Sequence, residues 1–212
     1  MLITQISPQT KDPLRENVYL DGKFAFGIAA EKRFEHRLKV GQTLSEKEVT
    51  DIVFEDQVGK LLNSAQRFLS YRPRSIRETR DHLKLKLDKG DFVTPDKILD
   101  EVVKKLIKLG LLNDEDFTKW WIEQRQKFKP RGERLLRQEL HAKGIDREIV
   151  DAHFYDYHSP GGEITKVAAK KFPSYKNLPE REFRSKMGAF LTRRGYDWDE
   201  ISTVVDRLLR TK

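Results

Sequence analysis

Three short stretches of this 212-residue chain set cations beside aromatic rings. They are Tyr71-Arg72-Pro73-Arg74-Ser75-Ile76-Arg77, Lys127-Phe128-Lys129-Pro130-Arg131-Gly132-Glu133-Arg134 and Lys170-Lys171-Phe172-Pro173-Ser174-Tyr175-Lys176. Such clusters suit a polyanion: Lys and Arg displace condensed counterions from a nucleic acid or steer an acidic protein groove, and helix N-termini that follow add backbone N–H donors. One cluster by itself reads as a solvated loop. Three at the same phase of a repeat, each at the corner between a first and a second helix, predict a basic stripe on a common side. The candidate binding residues are therefore Arg72, Arg74, Arg77, Lys127, Lys129, Arg131, Arg134, Lys170, Lys171, Arg193 and Arg194. The neighbouring rings Phe68, Trp120, Trp121 and Phe128 read as core, not as base-stacking platforms.

Catalytic readings find less support. Asp114-Glu115-Asp116 could hold Mg²⁺ in a nuclease, but adjacent helical residues point in different directions, and Asn113 with acidic residues in a first turn is what a helix start requires. The five histidines, His36, His82, His141, His153 and His158, form no HxxxH pair. No phosphate-cradling G-x-x-x-x-G-K or G-x-G-x-x-G occurs, and no G-x-S-x-G elbow. With no cysteine, disulfides, thiolate zinc sites and a cysteine nucleophile are excluded. No cofactor and no metal are expected.

The elements that must carry the cations follow from periodicity. Val18, Leu20, Phe24, Phe26 and Ile28 alternate around Asp21-Gly22, a β-hairpin signature, and Leu2–Ile6 is a candidate third strand. Ser45 and Glu48 form a capping box at a helix start. Val58, Leu61, Leu62, Ala65, Phe68 and Leu69 make a helical stripe that stops near Pro73; Ser75 with Glu78 caps a second helix; Thr94-Pro95 opens a third. The pattern recurs twice, separated by the linker Ser159-Pro160-Gly161-Gly162, with Tyr157 closing the preceding helix. Leu140-His141-Ala142-Lys143-Gly144-Ile145-Asp146 aligns with Leu191-Thr192-Arg193-Arg194-Gly195-Tyr196-Asp197, 51 positions on. In each, Gly supplies a left-handed cap, the next apolar residue plugs the corner, and Asp caps the third helix. Lys89-Gly90-Asp91-Phe92 is a looser version in the first unit. The expected organisation is 1–55 hairpin segment and connector, then three-helix repeats over 56–112, 113–158 and 159–212.

Composition agrees with a stacked helical array. Apolar residues make up 37% and charged residues 36%, which favours a thin or elongated body over a sphere, and the expected fold is mainly α, the three repeats forming an elongated curved array. Residues 1–63 hold 9 Lys/Arg against 10 Asp/Glu, whereas 64–212 hold 33 against 24, so the whole excess of the +8 net charge lies in the helical repeats. No secretory signal or membrane span is expected, and a cytoplasmic monomer fits.

Several of these residues together resemble the RecX family, modulators of the RecA recombinase. They are Asn17-Val18-Tyr19-Leu20-Asp21-Gly22-Lys23-Phe24-Ala25-Phe26; Ala65 with Phe68-Leu69-Ser70-Tyr71-Arg72-Pro73-Arg74-Ser75; Leu106 with Gly110-Leu111-Leu112-Asn113-Asp114-Glu115-Asp116-Phe117; and Gly132 with Leu140 and Lys143-Gly144-Ile145. The resemblance spans nearly the whole chain. It implies three tandem three-helix repeats, no catalysis, and docking in the groove of a RecA filament on single-stranded DNA, with inhibition of recombination and ATP turnover. Arg72, Arg74 and Ser75 match the family motif in the first repeat, Gly132 and Lys143 in the second. Extra residues around Asp88–Pro95 depart from it. The competing expectations are a sequence-indifferent DNA-binding protein that ignores RecA and, more remotely, a nuclease built on Asp114 and Asp116.

Overall fold

The computed structural model describes residues 1–155 and 162–211; Tyr157, His158 and most of the Ser159–Gly162 linker lie outside them. The chain divides into two compact units, one of Met1–Arg72 and Thr79–Leu111, the other of Pro73–Glu78 and Leu112–Lys212.

The first unit opens on an antiparallel sheet of β1 (Ile3–Pro8), β2 (Arg15–Leu20) and β3 (Lys23–Ala29), in that order. Asp21 and Gly22 both take positive φ, the geometry of the two-residue turn their types favour. Val18, Leu20, Phe26 and Ile28 are buried with Ile3. Phe24 is not: the β2–β3 register shifts between Val18 and Tyr19, and the ring is 60% exposed, edge-on to Tyr19. The alternation therefore fails at that residue because a bulge changes which face it takes.

After α1 (Ala30–Glu35), Ser45 and Glu48 close the expected capping box, and the helix they start, α2, runs unbroken over Glu46–Leu69. It passes through residues 55 and 56, so the N-terminal segment and the first helical stripe share one element. Asp56, only 4% exposed, ties the sheet to α2: it accepts two bonds from the Arg15 guanidinium, at 3.2 and 2.6 Å, and one from the Ala29 N–H at 2.8 Å.

In α3 (Ile76–Leu87) Leu83 and Leu87 are buried, and α4 (Pro95–Lys108) packs on α2 through a core that includes Ile98, Val102 and Leu106. Thr94 departs from expectation. Its backbone is left-handed (φ 42°) and its side chain makes no cap bond, so Pro95 alone marks the helix start. Gly90 likewise is not a left-handed cap; that role falls to Gly110, φ 69°, behind α4. The extra residues are held by one amide on α2: Gln57 donates to the Asp91 carbonyl and accepts from the Val93 N–H.

The second unit repeats one design. Helices α5 (Asp114–Phe128), α6 (Glu133–Ala142) and α7 (Arg147–Tyr155) enclose Phe117, Leu136, Leu140, Ile145, Val150 and Phe154. Helices α8 (Gly162–Lys171), α9 (Glu180–Thr192) and α10 (Trp198–Arg210) enclose Ile164, Phe183, Met187, Leu191, Tyr196, Ile201 and Val205. The 51-residue correspondence holds in the geometry of the two corners. Gly144 and Gly195 have φ of 80° and 87°; the Ile145 N–H donates to the Leu140 carbonyl as the Tyr196 N–H does to Leu191; both plugs are buried.

The repeat also builds a joint that periodicity did not reveal. The carbonyls of Lys143 and Arg194, equivalent in the two corners, each receive a hydrogen bond from the start of a second helix: Ser75 Oγ at 2.7 Å and the Gly132 N–H at 2.9 Å. Arg77 lies across Gly144, and Arg134 donates to the Thr192 carbonyl at 2.7 Å. A Cβ at Gly132 would run into the backbone of Gly195, so glycine serves close approach there rather than a turn. Gly132→Ala should lower the stability of this unit by about 1–3 kcal/mol, the usual cost of overpacking, read by urea denaturation. Gly59→Ala, where a Cβ meets open space in α2, should be neutral or stabilising.

Asn113 caps α5 as expected, accepting from the Glu115 and Asp116 N–H groups. Asp114 turns away from α5 and accepts from the Ile76 N–H at 2.9 Å, at the start of α3. Burial pushes its carboxyl above the ordinary aspartate value; the Ile76 bond pulls the other way and Asp146 adds to the rise. Because the folded value is raised, this group favours the folded state fully below the ordinary aspartate pKa, and that contribution is lost as pH rises through the raised value. Asp114→Asn should keep the cap and abolish this part of the pH dependence, while Asp114→Ala should cost about 1 kcal/mol, both read from chemical denaturation at several pH values.

Candidate polyanion-binding cleft

The second and third basic corners meet in one cleft of about 580 Å³. Its first wall is the end of α5, where Pro130 prevents continuation and leaves Lys127, Phe128 and Lys129 at the lip. Its second wall is α8, which presents Lys166 and Lys170 one helical turn apart, with Lys171 at its end. Phe190 of α9 and Arg194 of the following corner complete the lining with Pro130 and Val167.

Among the described residues, six cations and no carboxylate line this space. Among the described residues no acidic partner pairs with any of Lys127, Lys129, Lys166, Lys170, Lys171 and Arg194. Elsewhere in the unit several cations are neutralised: Arg125 and Arg131 both reach Glu139, Arg137 bridges Glu133 and Asp151, and Lys186 pairs with Glu182. Arg184 sits between Asp206 and Glu180, whose hydrogen bonds hold its guanidinium above the ordinary value. Rings, not carboxylates, accompany the cleft cations: Lys127 lies 5.4 Å from the Phe128 centroid, Lys171 5.0 Å from Tyr175 and Arg194 4.9 Å from Phe190.

Of the residues singled out in the sequence, Lys127, Lys129, Lys170, Lys171 and Arg194 converge here. Arg131 turns to Glu139 and Arg134 to the Thr192 carbonyl, so both brace the modules. Arg193 is exposed but does not line the cleft, and neither do Arg72, Arg74 and Arg77. Lys143 pairs with Glu78 at 2.6 Å. Phe128, read as core, is the last residue of α5 and is 69% exposed. Trp120 and Trp121 do pack against the core, Trp121 donating to Glu139. Phe68 stacks on His82 with centroids 3.9 Å apart. Lys166 and Phe190 were missed; the i, i+4 spacing of Lys166 and Lys170 was the available signal.

The fold and this cleft define a class: helical proteins assembled from three-helix modules behind a small N-terminal sheet, with a concentrated basic surface. Three family models match along the chain: the regulatory protein RecX N-terminal domain over residues 1–45, the RecX second three-helix domain over 113–153 and the RecX third three-helix domain over 163–205. Regulatory protein RecX of Bacillus velezensis is 36% identical over 209 residues, covering 97% of this chain and 76% of the relative. That of Bacillus subtilis is 33% identical over 208 residues, with the same coverages. A crystal structure of regulatory protein RecX superposes with a TM-score of 0.74 at 28% identity, over 97% of this chain and 98% of the other. RecX from Lactobacillus salivarius gives 0.63 at 26%, over 73% and 97%. The chain belongs to the RecX family of regulatory proteins.

Proposed function

We propose that this protein docks on the filament that a RecA-type recombinase forms on single-stranded DNA and restrains its ATP turnover and strand exchange, acting in the cytoplasm as a monomer and by binding rather than catalysis. The observation that carries this reading is the cleft: six cations converge on it, and none of them pairs with a carboxylate among the described residues. Like charges held together repel, and the arrangement is favourable only when an anionic partner enters. Arg72, Arg74, Arg77 and Arg193 form a second tier of candidate contacts, each modest, that successive modules sum. The repeats 56–112, 113–158 and 159–212 are the units that would each face the filament. The test is RecA ATPase on single-stranded DNA with increasing protein: inhibition at saturation is expected, and an unchanged rate counts against the reading.

A lining rich in cations, which would meet phosphates rather than base edges, favours one second reading, a DNA-binding protein that acts independently of RecA. Naked DNA bound as tightly as the assembled filament at one salt concentration would select it.

A further inference from the structure

The first unit holds a cleft of different character, beside the sheet. β3 is an outer strand, and the two halves of its free edge differ. Towards Ala29 the edge is closed: the Gly27 carbonyl accepts from the Arg15 guanidinium at 3.0 Å, and the Ala29 N–H donates to Asp56. At Phe24 and Ala25 it is open. Both residues are exposed, the register shift leaves Ala25 without a counterpart on β2, and among the described residues no further segment bonds to their main chain. We infer that this open half takes up a short extended peptide of a partner protein as a fourth strand, a segment uncharged and apolar at alternate positions, seated between β3 and the loop 88–94. The inference goes beyond the proposed function and does not rest on it.

Unused main-chain groups at a sheet edge are matched by another extended chain, and here that chain has a seat. The cleft, about 530 Å³, runs from β3 across α2 to the loop. Its lining on α2 extends from Val49 to Lys60, about 16 Å at 1.5 Å per residue, which is the span of about five residues of strand. The far wall comes from the added length of the loop: residues 88–94 join α3 to α4, where the second unit uses only 143–146 and 193–197 at the same place. Gln57 fixes that wall to α2 through Asp91 and Val93. Phe24 on one side and Val93 on the other are 60% and 40% exposed, ready to cover apolar side chains that alternate along a strand. Charge settles the chemistry of the occupant. Arg15 and Lys60 are balanced by Asp56 and Asp91, so this cleft, unlike the basic one, has nothing to attract a polyanion, and an uncharged segment fits it. Length argues against a second copy. The bulge at Ala25 and the Arg15 closure leave too short an edge for two sheets to merge, but enough for one short peptide.

The test pans random linear dodecapeptides, displayed on phage, against the full chain and then titrates the enriched peptide, synthesised with a fluorescent label, by anisotropy. Enriched sequences should carry apolar residues at every second position and no excess of acids. In the isotope-labelled full chain, amide resonances of residues 23–25 and 91–93 should shift on peptide addition, and those of α8 should not. Methylating two alternate backbone nitrogens of the peptide removes two donors while leaving the protein untouched, and should weaken binding roughly fivefold to 150-fold. Phe24→Asp should weaken it about tenfold or more. Val93→Asp should weaken it in the same direction; this side chain lies on the loop, so thermal unfolding of that variant should match the parent even if the sheet variant loses stability. Failure to enrich any peptide, shifts confined to α8, or affinity indifferent to N-methylation would each overturn the assignment. Sedimentation showing self-association of the chain that Phe24→Asp abolishes would give the edge to a second copy and overturn it equally.

Discussion

Reversing Lys127, Lys166 and Lys170 together to Glu should weaken binding to the RecA filament by roughly 100-fold or more and abolish inhibition of its ATPase, because like charges brought against an anionic partner cost several kcal/mol. All three side chains are exposed and make no ion pair among the described residues, so folding has little to lose: exposed substitutions of this kind change stability by about 0.5 kcal/mol or less, and here they also relieve repulsion among the cleft cations. Lys186→Ala is the matched control, a cation of the same unit already paired with Glu182; it should leave binding unchanged. Filament binding should be read by anisotropy at one salt concentration and again at higher salt, where the parent itself weakens and the gap between parent and variant narrows. A variant that still inhibits fully would remove the cleft from the mechanism.

The largest effect on folding is expected at Asp56. Asp56→Ala leaves the mostly buried Arg15 guanidinium without its carboxylate and the Ala29 N–H without its acceptor, and removing one partner of such a buried pair costs about 3–5 kcal/mol. Asp56→Asn should cost less, since an amide oxygen can still accept from Ala29. The loss should be confined to the first unit: hydrogen exchange of β3 and α2 amides should accelerate, while those around Leu140 and Leu191 keep their protection. Uniform loss across both units would mean that the sheet anchor is not local.

These two sites also mark the limit of what the sequence disclosed. Local rules were legible. The left-handed corners at Gly144 and Gly195, the Ser45–Glu48 box and the Asp21-Gly22 turn each depend on residues within a few positions of one another, so residue type is enough to place them. The Arg15–Asp56 pair spans 41 positions, and nothing in the order of residues distinguishes Asp56 from the exposed acids beside it. The cleft fell between these cases. Its cations were found because they cluster in sequence, but which of them pair internally is a tertiary fact: Arg131 and Arg134 look like Lys127 and Lys129 until Glu139 and the Thr192 carbonyl are placed beside them. Phe128 was misread for a related reason. An apolar residue at a helix end continues the stripe in one dimension, whether or not the fold packs anything over it, and the Phe128 ring is 69% exposed.

The pairing of a helix start with a glycine bend has a polarity. Its donor half is the beginning of a second helix and its acceptor half is a later bend, so two donors or two acceptors cannot join, and the contact is heterologous in the sense that permits open-ended growth. The start of α9 does not continue the series: its cap position, the counterpart of Ser75 and Gly132, is Pro179, which has neither an N–H nor a hydroxyl to donate. Tandem duplication of the middle module would therefore deliver a copy that carries both halves, the donor start at Gly132 and the acceptor bend at Lys143. Copy number in such a scaffold can change by whole units without any new interface having to evolve.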